Sequence, residues 1–154
     1  MPAHRSNMAY HIINQVPDKD NVKAGVVQTK LVTVTTAEIL ALYTTPKELV
    51  PAPGANKVLE FCGAVLFLDF NSAAYATYGI LTVKQGTTAV SDAVAAAALC
   101  NQADDCYEQC FPLAVETELT ANSALNLYCD TGNPVTGDSP IYVSISYIIH
   151  DFNV

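Results

Sequence analysis

Tryptophan is absent from this chain, and positive charge is scarce. Seven Lys and Arg stand against fifteen Asp and Glu, for a formal net charge of −8. A phosphate-backbone binder needs clustered cations. Here Lys47, Lys57 and Lys84 are isolated, and the basic pair His4-Arg5 is too little for an arm on nucleic acid. Nucleic acid is therefore not an expected partner. Charge of either sign is low, 14% against the ~25% of an average soluble domain. Long apolar runs are missing too. The longest, around Gly63–Leu68, falls far short of the ~20 residues that cross a bilayer. No apolar h-region follows Met1–Asn7. Neither a membrane nor a secretory leader is expected, and synthesis in a cytoplasm is.

Reactive motifs are also lacking. There is no G-x-S-x-G, G-x-G-x-x-G, P-loop or H-E-x-x-H. His4, His11 and His150 have no ligand spacing. Cys110 is followed by Phe111-Pro112, without the signature of a thiolate poised by a base. Asp104-Asp105 lacks the alternating oxygens of a calcium loop. Glu116 and Glu118 sit at strand spacing on an expected solvated face. The expectation is a protein without catalytic residues, metal or cofactor.

What is present is strand pattern. With 154 residues, a single domain can bury a core without metal staples. Residues 1–23 are polar and unpatterned, which predicts an extended N-terminal arm before a domain over 24–154. Gly25–Thr36 is rich in β-branched residues. Thr35-x-x-Glu38 is a capping box, predicting about two helical turns that Pro46 stops. Pro51-Ala-Pro53-Gly54 is a turn. Lys57–Phe70 is the longest strand, apolar at both parities, so both faces are expected to be covered. Ile80–Lys84, Leu113–Leu119, Leu125–Cys129 and Ile141–Ile149 complete the strands. Ser91–Asn101, with its Ala run, predicts a second short helix. Residues 102–109 have no clear pattern. The sum is mainly β: an antiparallel β-sandwich or jelly-roll-like domain with two short helices.

Five cysteines remain. Cys62 and Cys129 lie in strand-like runs and suit a core. Cys100, Cys106 and Cys110 crowd a polar stretch whose spacings lack the paired hooks of a zinc site. An exposed position would make these three candidates for inter-subunit disulfides in an oxidising medium. Tyrosine is frequent, and its large ring with a polar tip suits interfaces. Tyr75, Tyr78, Tyr107 and Tyr142 are the interface candidates. Low charge also fits a surface covered by other subunits, although a neutral surface of Thr, Ser and Asn has the same composition.

Thr35–Phe61, with Thr-Ala-Glu-Ile and Pro-Ala-Pro-Gly-Ala, carries a resemblance. So do Leu68-Asp69-Phe70-x-x-Ala-Ala-Tyr75, Leu81-Thr82-Val83 and Pro140–Tyr147. Together they resemble a group of small structural proteins of tailed bacteriophages. The Cys100–Cys110 stretch departs from that pattern. The resemblance implies a non-enzymatic virion protein made in a host bacterial cytoplasm. The expected role is capsid decoration (cement) on the outer capsid surface. It would act as a homo-oligomer, trimer favoured, that bridges capsomers of the major capsid protein. The alternative is a tail or fibre-associated module that recognises a host surface glycan.

Overall fold

β-Branched and aromatic residues dominate the runs that the computed structural model turns into strands; it describes residues 25–76, 79–114 and 118–153. In chain order these are β1 (Val27–Val34), β2 (Lys47–Val50), β3 (Lys57–Leu68), β4 (Ile80–Gln85) and β5 (Thr88–Ala89). They continue with β6 (Val94–Ala95), β7 (Cys106–Cys110), β8 (Leu125–Cys129) and β9 (Ile141–Asp151). One helical turn, α1 (Thr36–Ile39), follows β1. Sheet A has the order β1-β9-β3-β7. Sheet B has the order β2-β8-β4-β5, and β6 also pairs with β4. Every pairing is antiparallel. The expected mainly-β class, with two antiparallel sheets, is the observed one. The proposed arm, residues 1–23, lies outside the described residues.

The inner faces of the two sheets supply one core. Leu59, Leu66 and Leu68 of β3 and Ile141, Val143 and Ile145 of β9 are fully buried, as are Leu81 and Val83 of β4 and Leu125 and Leu127 of β8. The doubly apolar pattern of β3 has a specific cause. A register shift between Phe61 and Gly63 inserts an extra residue opposite β9. Such a bulge exchanges the two faces of a strand. Leu59 and Phe61 therefore point inward before it, and Ala64, Leu66 and Leu68 after it. Gly63 takes φ +146°, which its missing side chain tolerates. Within one subunit only the inner face of this strand is covered; Val65 on the outer side is 39% exposed.

The helices are shorter than expected. The capping box forms: Thr35 Oγ1 accepts from the Glu38 N–H at 3.4 Å, and the Thr35 N–H donates to Glu38 Oε2 at 2.8 Å. After Ile39 the chain tightens, with the Ala41 and Leu42 N–H groups bonding only three residues back. Asn133 Oδ1 then takes the Tyr43 and Thr44 N–H groups at 2.9 and 3.1 Å and draws the backbone out of helical geometry. The helix expected over Ser91–Asn101 is replaced by β6 and a 3-10 turn at Ala96–Ala98. Ser91 is buried, and its Oγ accepts the Val83 N–H at 2.8 Å instead of capping a helix. Val94–Ala95 pairs with Ile80–Leu81, so sheet contact overrides alanine propensity. Residues 115–117 lie outside the described residues, and the neighbouring Leu113, Ala114, Glu118 and Leu119 are not in a strand.

Candidate functional site

Alternation in the four strands of sheet A sends every second side chain to solvent. The pairing registers align these outward residues in rows. One row runs Thr33, Tyr142, Phe67, Tyr107. The next runs Leu31, Ser144, Val65, Gln109. Thr29 and Ser146 follow, with their hydroxyls 3.2 Å apart, and then Val27 beside Ile148. No charged residue falls in these rows until Glu60, opposite Ile148. There Glu60 Oε2 lies 2.6 Å from His150 Nε2, and the His150 ring stacks near Phe152 at 6.2 Å. Leu31 and Tyr107 are each 68% exposed. An uncharged sheet face with exposed apolar side chains marks a surface for association.

The rings in the first row form a ladder. Phe67 stacks on Tyr107 at a centroid distance of 4.5 Å and 18° between planes, and on Tyr142 at 6.2 Å and 20°. Two of the tyrosine candidates, Tyr107 and Tyr142, are thus brought together by a phenylalanine that the sequence reading left out. The bulge hid it: Phe67 shares its parity in sequence with the buried Leu59 and Phe61 yet faces outward.

Tyr75 is corrected from interface to core. It is 2% exposed, and its hydroxyl donates to the Ser139 carbonyl at 2.5 Å. Its ring lies where a side chain on Gly137 would be, within 2.3 Å of an ideal Cβ. Burial pushes the Tyr75 phenol above its ordinary range. Beside it Asp138 ties down the 71–73 loop. Its carboxylate accepts from Ser72 Oγ at 2.5 Å and from the Ser72, Ala73 and Asn71 side-chain or backbone N–H groups. These bonds, the Ser72 hydroxyl first, pull its pKa to about 2. Tyr78 lies outside the described residues.

The cysteine reading is corrected in part. Residues 106–110 are an edge strand, not an exposed polar loop. Cys100 and Cys110 are buried at 0% and 1%, and burial raises both thiols to about 12. Neither can meet a neighbouring copy without opening the core. Cys106 is half-buried, with Sγ 3.6 Å from the Leu99 carbonyl. On a strand Cys106 and Cys110 are roughly 13 Å apart, too far for a disulfide.

Nothing else in the described residues is arranged for chemistry. A groove of about 540 Å³ is lined by Ala37, Glu38, Ala41, Pro46, Lys47 and Glu48. Its Glu38 is committed twice, to the capping box and to Lys47 Nζ at 2.5 Å. The lysine contact above all lowers the Glu38 pKa, so it is no proton donor near neutrality. Among the described residues no three His, Cys, Asp or Glu side chains converge as metal ligands. The four described lysines are all engaged. Lys47 pairs with Glu38 and Lys57 with Asp151. Lys84 sits 3.7 Å above the Tyr128 ring, and Lys30 donates to the Leu49 carbonyl. What remains is an acidic surface interrupted by one uncharged face.

The fold is a two-sheet antiparallel β-sandwich with one outer face that is largely uncharged. No protein-family model and no curated protein sequence matches the chain. Among solved structures, a chain described as "Cyanophage Pam1 capsid asymmetric unit" aligns with 96% of this chain and 98% of that one. The identity is 19% and the TM-score 0.45. A likeness at that level is too distant to carry a function over.

Proposed function

We propose that this protein is a structural component of a tailed-bacteriophage virion, a capsid decoration (cement) protein. In this reading it is synthesised in the host cytoplasm. It then sits on the outer capsid surface as a homotrimer and bridges capsomers of the major capsid protein. It is not an enzyme. The observation that supports the reading is the uncharged outer face of sheet A, on a chain whose other described surfaces carry unneutralised carboxylates. Docking through the rows from Thr33–Tyr107 to Thr29–Ser146, short of Glu60, removes no charge from water, so apolar burial there is not offset by desolvation.

The size of the face suggests a second contact. Four strands ~4.8 Å apart and eight residues at ~3.3 Å each span roughly 500 Å² in projection. A standard interface uses about 800 Å² per partner. Residues 1–23 serve in this proposal as the arm that supplies the remainder on a neighbouring subunit or capsid protein. The glycan-binding alternative has less support. A sugar platform presents ring faces to solvent, whereas Tyr142, Phe67 and Tyr107 stack on one another and leave only the two end faces of the ladder, at Tyr107 and at Tyr142.

The test adds purified full-length protein to capsid shells that lack it, followed by co-sedimentation and cryo-electron microscopy. Density on the outer shell and a higher shell-disruption temperature are expected. Removal of residues 1–23 should weaken binding while leaving the melting temperature of the sandwich unchanged. Absence of shell binding, with density only at the tail, would refute the decoration role.

A further inference from the structure

Side-chain size shapes the uncharged face of sheet A into a shallow trough. Leu31 on β1 and Tyr107 on β7, each 68% exposed, stand at its two sides. Ser144 and Ser146 of β9 and Gly63 of β3 lie low between them, with Gly63 directly opposite Ser146. The ring ladder of Tyr142, Phe67 and Tyr107 crosses one end. Glu60 stands at the other end, its side chain 46% exposed beside His150. Lys57 at this end pairs with Asp151, so among the described residues the Glu60 carboxylate has no partner cation beyond His150. From the Tyr142 row to the Ile148 row the floor runs roughly 20 Å. The chain itself holds a segment of matching character. Ser6–Pro17 has no Lys, Arg, Asp or Glu, and Met8, Tyr10 and Ile12 recur at every second position. Fully extended it reaches roughly 40 Å, enough to cross the floor. Arg5 precedes this run, and Asp18 and Asp20 follow it.

We infer that Ser6–Pro17 of one copy lies along this trough on the next copy, with its Arg5 at Glu60. This deepens the part given above to the arm and rests on that reading only for the homo-oligomer. Charge decides both the direction and the donor. The described chain enters sheet A at Gly25, whose N–H donates to the Ile149 carbonyl at the Glu60 end. An arm turning straight back over its own sheet would bring Asp18 and Asp20 beside Glu60 and carry Arg5 away to the rings. An arm from another copy can run the opposite way and bring Arg5 to Glu60. That direction opposes unlike charges and keeps the uncharged run on the uncharged floor.

The floor suits a backbone as well as apolar side chains. The Ser144 and Ser146 hydroxyls can each donate and accept, so peptide groups laid across them find partners. Met8, Tyr10 and Ile12 share one side of an extended run and would meet Val65 and the ring ladder together. The contact is head to tail, because each copy gives one arm and receives one. Such contacts close into rings or run on as fibres. The arm and the face then contribute to the same interface. The roughly 500 Å² of the face, with the arm's own surface added, approaches the ~800 Å² per partner of a standard interface.

Charge exchange in the full chain tests this. Sedimentation of the wild type should show oligomers. Arg5→Glu and Glu60→Lys should each weaken association about tenfold or more, because like charges then oppose. Val65→Glu, on the trough floor, should do the same by placing a charge under the arm. Circular dichroism of each variant separates misfolding from lost association. The two charge variants should associate when mixed, since each offers the other an opposite charge, whereas arms on their own copies would gain nothing from mixing. Tagged Arg5→Glu should therefore capture Glu60→Lys better than it captures untagged Arg5→Glu. A monomeric wild type, single variants that associate like wild type, or a mixture no better than its parts would overturn the inference. Recovery in the double variant Arg5→Glu/Glu60→Lys without recovery in the mixture would place the arm on its own copy and overturn the exchange. A monomeric wild type that binds shells would overturn the exchange and leave the decoration reading standing. Oligomers that respond to charge exchange as expected but bind no shell would support the exchange and overturn decoration.

Discussion

Tyr75 gives the sharpest test of where the sandwich is held together. Its ring fills the space over Gly137, and its hydroxyl donates to the Ser139 carbonyl from a site 2% exposed. Tyr75→Phe keeps the ring and removes the donor. A buried carbonyl that loses its partner costs about 1–3 kcal/mol. Tyr75→Ala also removes the ring, and large-to-small changes of this kind cost about 3–5 kcal/mol. For a chain of this size 1 kcal/mol shifts the melting temperature by about 2–4 °C. The Phe variant should therefore melt roughly 2–12 °C lower, and the Ala variant at least about 6 °C lower. Tyr107→Ala is the control. Its ring is 68% exposed and stacks only on Phe67, so its loss should cost about 1 kcal/mol or less. Thermal and urea unfolding followed by circular dichroism would measure all three. A Tyr75→Ala variant as stable as Tyr107→Ala would refute the core assignment and return Tyr75 to the surface.

Acid should loosen the same corner. The folded-state pKa of Asp138 is depressed to about 2 from an ordinary 3.8, so its contribution is complete above the unfolded value and is lost as pH falls through about 2. Urea midpoints measured down that range should fall more steeply for wild type than for Asp138→Asn, and equal slopes would show that the Ser72 and Ala73 bonds do not hold the ionised form. Thiol titration should separate the cysteines: Cys62 and Cys106 react in the native protein, while Cys100, Cys110 and Cys129 wait for denaturant. Simultaneous reaction of all five in the native state would mean that the core around Cys100 opens readily.

The one-dimensional pattern determined what local physics controls. β-Branched runs at alternating spacing made the mainly-β class legible. Thr35 and Glu38 carry the cap chemistry within four residues, so the turn of α1 was readable with no knowledge of neighbours. The scarcity of cations followed from counting. Where distant segments competed for the same groups, the sequence was misleading. Asn133 takes the amides of Tyr43 and Thr44 from nearly ninety positions away and ends the helix early. Ser91 is drawn to the Val83 amide, and Ala-rich residues beside it join sheet B, because a strand partner outweighs a small intrinsic preference. The uncharged face was hidden for a related reason. The bulge at Phe61–Gly63 inverts the parity of β3, and only pairing with β9 reveals which apolar residues it turns to solvent. Tyr75 and Tyr107 are chemically identical in sequence. Gly137 and Ser139 bury the first, while the edge position of β7 exposes the second.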